Sequence, residues 1–563
     1  MEKTTLSPDN VSTSLIEHLG LVADQINQLG LIELIDERLP IEGNGSKISM
    51  GERTAGLILN GSGFVDSRLY IFPKFLAKKP ISRLFGKEMD AAWFNDDSLG
   101  RCLDAIADYG TTKLFTELSF AIAKAKNLFG KSVHFDTTSL QLEGVYANAE
   151  QITDPQAVIP AYGYSKSHRD DLKQMVLNLA TTGKSNFPIW MEPHSGNASD
   201  ATILPDAMAR MNDLCEQLKI SESFLYVADS AAYANVIEHS NKFKWLSRVP
   251  GSLKLAKQLL NTPPEKLEWL DKEKGYKGYE TTISYGNVKQ RWLLVASEQA
   301  YQKAAKTLDK QIQKVCSKLS KSWWHLSNQL FACKDDALKA AQKLDANMLY
   351  HKVSYEVNEV KKYLQKGRPS QSSQTTTVGY QLTYTISEDT TKISAIKRRK
   401  GRFILATNQL KESELSSSSM LAEYKAQSGV ERGFKFIKDS SFQVDSVFLK
   451  TPSRISALMA IMTLCLMIYG LVQEQIRAAL KERNETLPDQ KDKQTQNPSL
   501  KWIYFMFIGI RQVTIKVGEQ ETQMVSNLTD TMKQIIGYCG KRAQEIYLQK
   551  KKFLGRYGRI PPI

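Results

Sequence analysis

The sequence predicts an α/β chain with a helical N-terminal region (1–125), a strand-bearing core in two parts (126–250 and 401–475), a mixed α+β insertion between them (251–400), and a helical, basic C-terminal region (476–563). Three observations carry this. The first hundred or so residues repeat apolar positions at helical spacing. Near residue 130 the texture changes to period-two alternation. Between about 250 and 400 the pattern breaks again and mixes hairpin with long charged helix.

In chain order, SLIEHLGLVADQINQLGLIELIDERL is amphipathic, and NDDSLGRCLDAIADYG opens on Asn95, Asp96 and Asp97, a helix-capping sequence. SVHFDTTSLQLEG alternates and is rich in β-branched and aromatic residues, so it reads as a strand. DLKQMVLNLAT is a second strand. SFLYVAD is a third, apolar enough to be central in a sheet. Residues 276–297 read as a hairpin turning at Gly286-Asn287, and the charged stretch from SEQAYQKAAK through YEVNEVKKYL reads as helix. QKGRPSQSSQTTTVG is a connector, YQLTYTIS and RFILATN are strands, and helical texture resumes after Leu410.

Composition narrows the function. Seventy-five Lys and Arg against 60 Asp and Glu leave a net charge of +15, which fits either a polyanion partner (nucleic acid or an anionic membrane surface) or a merely basic soluble enzyme, and charge alone does not choose between them. The basic tail KRAQEIYLQKKKFLGRYGRIPPI interleaves Tyr and Phe, a composition that can grip phosphates and stack bases. Six scattered cysteines with no CxxC pair argue against a zinc ribbon or a disulfide framework and fit a reducing, cytoplasmic setting. The N-terminus has no apolar stretch of the secretory kind. Ile455–Gln473 carries no charge and just reaches membrane-spanning length, but it stands alone and contains Ser456, Thr463 and Gln473, so it reads as a helix buried in a protein core.

Three carboxylates stand out by position. Asp136 lies in SVHFDTTSL on the same face as His134 and Thr138. Asp229 ends the apolar run FLYVAD, where a carboxylate is costly to desolvate without a cation. Glu431 sits in the predicted helix EYKAQSGVERGFKFIKDS, where 100° per residue places Tyr424, Gln427, Glu431 and Lys438 on one stripe. Singly, a strand-ending Asp is more often a turn residue and Glu431 an ordinary exposed position. Together, two strand-borne Asp and a helix-borne Glu are what a divalent metal pair needs for phosphodiester chemistry. Carboxylate oxygens suit Mg²⁺ or Mn²⁺, and the lack of paired Cys or His ligands speaks against zinc.

YKAQSGVERGFKFIK (424–438) resembles the signature helix of the DDE transposases of bacterial insertion sequences, in the branch with a Tyr-Arg-Glu-Lys signature and a large inserted domain. Tyr424, Glu431 and Lys438 match its spacing, whereas Gln427 stands where the family usually has Arg. HFDTTS and YVADSA are similar to the two catalytic Asp segments, and GYSKSHRDDLKQMVLNLA and HSGNASD to the stretches between them. The resemblance implies a ribonuclease H-like core split by an insertion between the second Asp and the Glu. It implies Asp136, Asp229 and Glu431 as the catalytic and metal-holding residues, with Tyr424, Gln427 and Lys438 on the DNA backbone. Lys166, His168 and Arg169 are further candidates for DNA contact or an ordinary solvated turn; Asn197 and Asp200 read as structural. The implied partners are double-stranded DNA (transposon ends and target) and a second copy of the chain in a synaptic homodimer, in the bacterial cytoplasm at the nucleoid and with no membrane. The rivals are a silent DNA-binding descendant and a plain metal-dependent nuclease. The resemblance implies an inserted domain that helps hold the DNA end, in some of these transposases through an aromatic that stacks on a displaced base. Trp323 and Trp324 are the candidates, because adjacent helical residues cannot both face one core.

Overall fold

The computed structural model describes residues 10–554 apart from 42–45, 64–70, 145, 147–156, 165–168, 219, 221–222, 346–347, 365–373, 440–448, 519 and 550. The chain divides into two compact units, Met1–Ser247 with Glu423–Ile563, and Arg248–Ala422.

The first unit begins with β1 (Val11–Leu15) and seven helices, α1 (Leu19–Leu29), α2 (Leu31–Arg38), α3 (Met50–Gly61), α4 (Phe72–Leu76), α5 (Ile81–Phe85), α6 (Asp96–Tyr109) and α7 (Thr111–Lys126). Local chemistry sets their starts. Ser49 and Glu52 form a reciprocal capping box on α3, and the Asn95 side chain accepts from the Ser98 amide at the start of α6, where the sequence places a cap. A sheet follows, built from β2 (Ser132–Leu142), β3 (Lys173–Thr182), β4 (Phe187–Ser195), β5 (Leu225–Ala228) and β6 (Lys244–Arg248), with α8 (Asp200–Gln217) and α9 (Tyr233–Val236) in its connections. The spatial order is β4-β3-β2-β5-β6. β2, β3 and β4 run antiparallel to their neighbours, while β2, β5 and β6 run parallel. Every residue of β3 is buried, and in β2 only Asp136 and Gln141 are partly exposed, as expected of central strands.

The second unit holds α10 (Lys254–Leu259), β7 (Glu268–Asp271), β8 (Tyr276–Tyr285), β9 (Val288–Ser297), α11 (Glu298–Ser327), α12 (Lys334–Asp345), β10 (His351–Tyr363), β11 (Thr375–Glu388), α13 (Thr390–Arg399) and β12 (Arg402–Thr407). β12, β9, β8 and β7 are neighbours in that order and antiparallel, and β10 pairs with β11 in a separate ribbon. The β8–β9 turn uses Gly286 and Asn287, both with φ near +60°, the left-handed pair that a tight hairpin requires. YEVNEVKKYL, expected as helix, is strand: Val353, Tyr355 and Val357 alternate with exposed Lys352, Ser354 and Glu356, and this period of two prevails over helix-favouring Glu and Lys.

The chain re-enters the first unit through α14 (Ser417–Ala426), α15 (Ser428–Ile437) and α16 (Pro452–Glu482). α16 contains the uncharged run noted above, of which Ile455–Ile468 is buried apart from partly buried Leu458, so it is a core helix. Beyond it come β13 (Leu487–Pro488), β14 (Gln494–Thr495), α17 (Leu500–Met506), β15 (Arg511–Val517), β16 (Gln520–Ser526), α18 (Asp530–Tyr538), α19 (Lys541–Leu548) and β17 (Lys551–Leu554). The C-terminal region is therefore not simply helical. RQVTIKV alternates β-branched residues, and β15, β16 and β17 complete a sheet in the order β1-β15-β16-β17. The basic end from Gly555 lies outside the described residues.

The two ends of the chain share one hydrophobic core with the central sheet, running from Ile16 through Leu177 to Tyr547. Asp24 caps α19 by accepting from the amides of Gly540 (2.8 Å) and Ala543 (3.0 Å), and the Arg83 guanidinium donates to the Ile546 carbonyl (2.7 Å). His18 is fully buried, with Nε2 2.7 Å from the Ser62 carbonyl and its ring stacked on Tyr504 at 4.1 Å. Burial holds its pKa down to about 4. The unfolded chain therefore binds a proton here below about pH 6.5 that the native state refuses until about pH 4. Stability should fall as pH drops across that window, by on the order of 3 kcal/mol from this group. Urea midpoints at pH 7 and pH 5 check this: His18→Gln should show a smaller loss on acidification than the natural chain.

Candidate functional site

Two of the three carboxylates lie on, or just past the end of, paired neighbouring strands. β2 and β5 run parallel with Ser132 opposite Leu225 and His134 opposite Val227. Carried two residues further, the same register sets Asp136 level with Asp229, where β5 ends, and parity of two puts both on one face. Both are half-buried. Asp136 Oδ1 accepts from the Thr137 amide (2.8 Å) and Asp229 Oδ1 from the Ala231 amide (2.9 Å). Ser247 of β6 donates to the Asp229 carbonyl (2.8 Å), and Thr137 donates to Asp200 at the first turn of α8 (2.5 Å), which ties that helix to β2 beside Asp136.

Glu431 arrives from the helical side. The single predicted helix breaks at Gln427 into α14 and α15, with Gln427 itself in right-handed helical geometry. The Gln427 side chain is 7% exposed, and its Nε2 donates to the Phe135 carbonyl at 3.4 Å, a long bond that seats the start of α15 on β2 one residue from Asp136. Glu431, one turn on, is exposed, while Val430, Phe434 and Ile437 are buried beneath it. Glycines permit the close seat. A Cβ on Gly429 would lie 1.8 Å from Asn186 Oδ1, and one on Gly433 would lie 3.0 Å from Leu466 of α16. Among the described residues, no three His, Cys, Asp or Glu side chains are gathered as a ready-made metal cage.

A polar cluster beside Asp136 was only half apparent in the sequence. Ser132, His134 and Asp136 share one face of β2 by their period of two. The Ser132 hydroxyl lies 2.9 Å from His134 Nε2 and donates to Glu423 of α14, whose carboxylate is 3.8 Å from the same imidazole nitrogen. Desolvation pushes His134 down to about 4, so the ring is neutral at physiological pH. Glu423 stands next to Tyr424 in sequence, but nothing in the spacing marks it out.

Tyr424 on α14 and Lys438 at the end of α15 are both half-buried. Arg169 is exposed and grips Asp171 with two bonds of 2.8 Å; Lys166 and His168 lie outside the described residues. Of the adjacent tryptophans, Trp323 is buried against Tyr355 and Tyr384, whereas Trp324 is 58% exposed. Trp269 is also exposed, with Lys277 Nζ 4.4 Å from its ring centre.

Residues 135–468 match the family described as a transposase DDE domain, and residues 11–120 match a domain of unknown function, DUF4277. No curated protein matches the sequence. Among solved structures, the chain is similar to a cryo-EM structure of the piggyBac transposase synaptic complex with hairpin DNA, at 8% identity, with 87% of this chain and 79% of that chain covered and a TM-score of 0.34.

The burial of Gln427 makes a specific prediction. Gln427→Arg places a guanidinium in desolvated space against β2, so it should lower stability by about 1–3 kcal/mol rather than add a phosphate contact. Denaturation midpoints and the salt dependence of DNA binding check it; a stable variant whose binding falls more steeply with salt would mean the side chain reaches DNA.

Proposed function

This chain belongs to the DDE transposase family, and from that premise we propose that it is a DNA transposase. In this reading it binds the two ends of an insertion sequence as a homodimer, cleaves them, and joins the 3′-OH ends to target DNA. The observation that carries the reading is the parallel pairing of β2 with β5 inside the matched region, a register that, continued by two residues, would bring Asp136 level with Asp229 just past the end of β5. The strand order, antiparallel through β4, β3 and β2 and parallel through β2, β5 and β6, supports a ribonuclease H-like core, with residues 248–422 as its insertion.

The donor set fits a hard divalent cation. Asp136 and Asp229 are half-buried carboxylates that offer oxygen donors, which suit Mg²⁺ or Mn²⁺. Asp136, Asp229 and Glu431 would hold it. When bound, it supplies the charge that activates water and stabilises the departing 3′ oxygen. The protein's own part is positional. The Thr137 and Ala231 amides each fix one Asp oxygen and so orient the carboxylates. Gln427 anchors to β2 the start of the helix that carries Glu431. Tyr424 and Lys438 flank Glu431 on the same pair of helices and are the side chains we assign to the phosphate backbone next to the scissile bond. Arg169, exposed beside Asp171, is a weaker assignment of the same kind. Trp324, exposed on α11, is the insertion aromatic available to stack on a base.

Asp136→Asn, Asp229→Asn and Glu431→Gln should each abolish Mg²⁺-dependent cleavage and strand transfer while leaving end binding nearly intact, because each amide keeps the shape and loses the charge. Cleavage assays on end-containing DNA check this. Near-natural cleavage by any one variant would remove that residue from the site, and cleavage without joining by the natural chain would mark it as a nuclease.

A further inference from the structure

On the other flank of α15 from β2 lies a cleft of about 340 Å³ between α15, α16 and the start of α17, floored by the Ser185–Asn186 turn between β3 and β4. Four cations line it, Arg432 and Lys435 from α15, Arg477 from α16 and Lys501 from α17, against one carboxylate, Asp439, which already pairs with Lys501 at 2.6 Å. Arg432 and Lys435 are exposed. Arg477 is half-buried and held by the Pro498 carbonyl (2.9 Å); burial and the like charge of Arg432 both act against its protonated form. The start of α17 is tied to the core helix by the Lys501 amide, which donates to the Tyr469 hydroxyl (3.0 Å). Like charges gathered in one concavity repel unless an anion enters it. Lys435 stands one helical turn beyond Glu431 on the same exposed ridge, about 6 Å along the axis, which is under two nucleotide rises of a DNA strand.

We infer that this cleft binds the phosphodiester backbone of the DNA strand that passes the carboxylates, one to two nucleotides beyond the bond they act on. The choice of DNA as the anion rests on the transposase reading above; the demand for phosphate-like charge rests on the cleft itself.

The test uses the full chain and a short labelled duplex without divalent metal, with affinity followed by fluorescence anisotropy across a salt series. Arg432→Gln combined with Lys435→Gln should weaken binding and reduce the slope of log affinity against log salt by roughly two, near 0.9 per lost phosphate contact. Both positions are exposed, so the variant should fold. Lys501→Gln should act independently in the same direction, and Arg432→Lys should keep the natural slope. An unchanged slope in both charge-removing variants overturns the inference. So does thermal stabilisation by inorganic phosphate that the double variant loses while its DNA slope stays natural, since the cleft would then hold a free anion. Mg²⁺-dependent cleavage by the natural chain is measured in parallel. Its absence would sink the transposase reading, whereas the slope change would still report DNA in the cleft.

Discussion

The uncharged face of α16 must be hidden from water on every side, and the first unit is arranged to do that. Each fully buried aliphatic side chain along it contributes about 1.5–3 kcal/mol, and the helix has many. α1, α3, α6 and α7 cover it from the N-terminal region, β4 from the central sheet, α15 from the preceding segment, and α17 and α18 from the C-terminal end. Elements far apart in sequence thus share one apolar partner, which is why the two ends of the chain lie in the same core as the strands that carry Asp136 and Asp229.

That arrangement positions chemistry. α15 is wedged between the sheet and α16, touching β2 through Gln427 and Leu466 through Gly433. Its remaining exposed ridge carries Glu431, Arg432 and Lys435. Glu431 and the cations Arg432 and Lys435 therefore share the exposed side of one short helix, and the burial of its apolar side fixes which way that side faces.

Much of this was readable from the sequence where periodicity spoke plainly. SVHFDTTSLQL, the apolar run ending at Asp229, the Gly286-Asn287 hairpin and the buried nature of Ile455–Gln473 follow from patterning alone. Other features were not. The helix stripe put Gln427 beside Glu431, but the helix breaks at Gln427, which is buried while Glu431 is exposed, and angular position alone does not say which residue faces the sheet. The level pairing of Asp136 with Asp229 is a matter of strand register, which the linear distance between them does not encode. Charge-rich YEVNEVKKYL reads as helix until its alternation is weighed, and the strand Arg511–Val517 sits in a region dominated by helix formers. Glu423 acquires its meaning only from Ser132 and His134, almost three hundred residues earlier.

The order in which the chain leaves the ribosome gives the shared core a further consequence. β2 through β6 are complete by Arg248, yet the faces of β3 and β4 that end up against α15 and α16 find their cover only after Gly429, with residues 248–422 made in between. A nascent chain stopped within that interval carries both Asp strands, an apolar sheet surface still open to water and no Glu helix, the kind of species that aggregates instead of persisting. The loop entropy of bridging so long an interval grows only slowly with its length, so the closure is delayed more than it is weakened. Partial products of synthesis are in this way left without α15 and α16 against the sheet, and the shared core closes only once α16 has been made and covered.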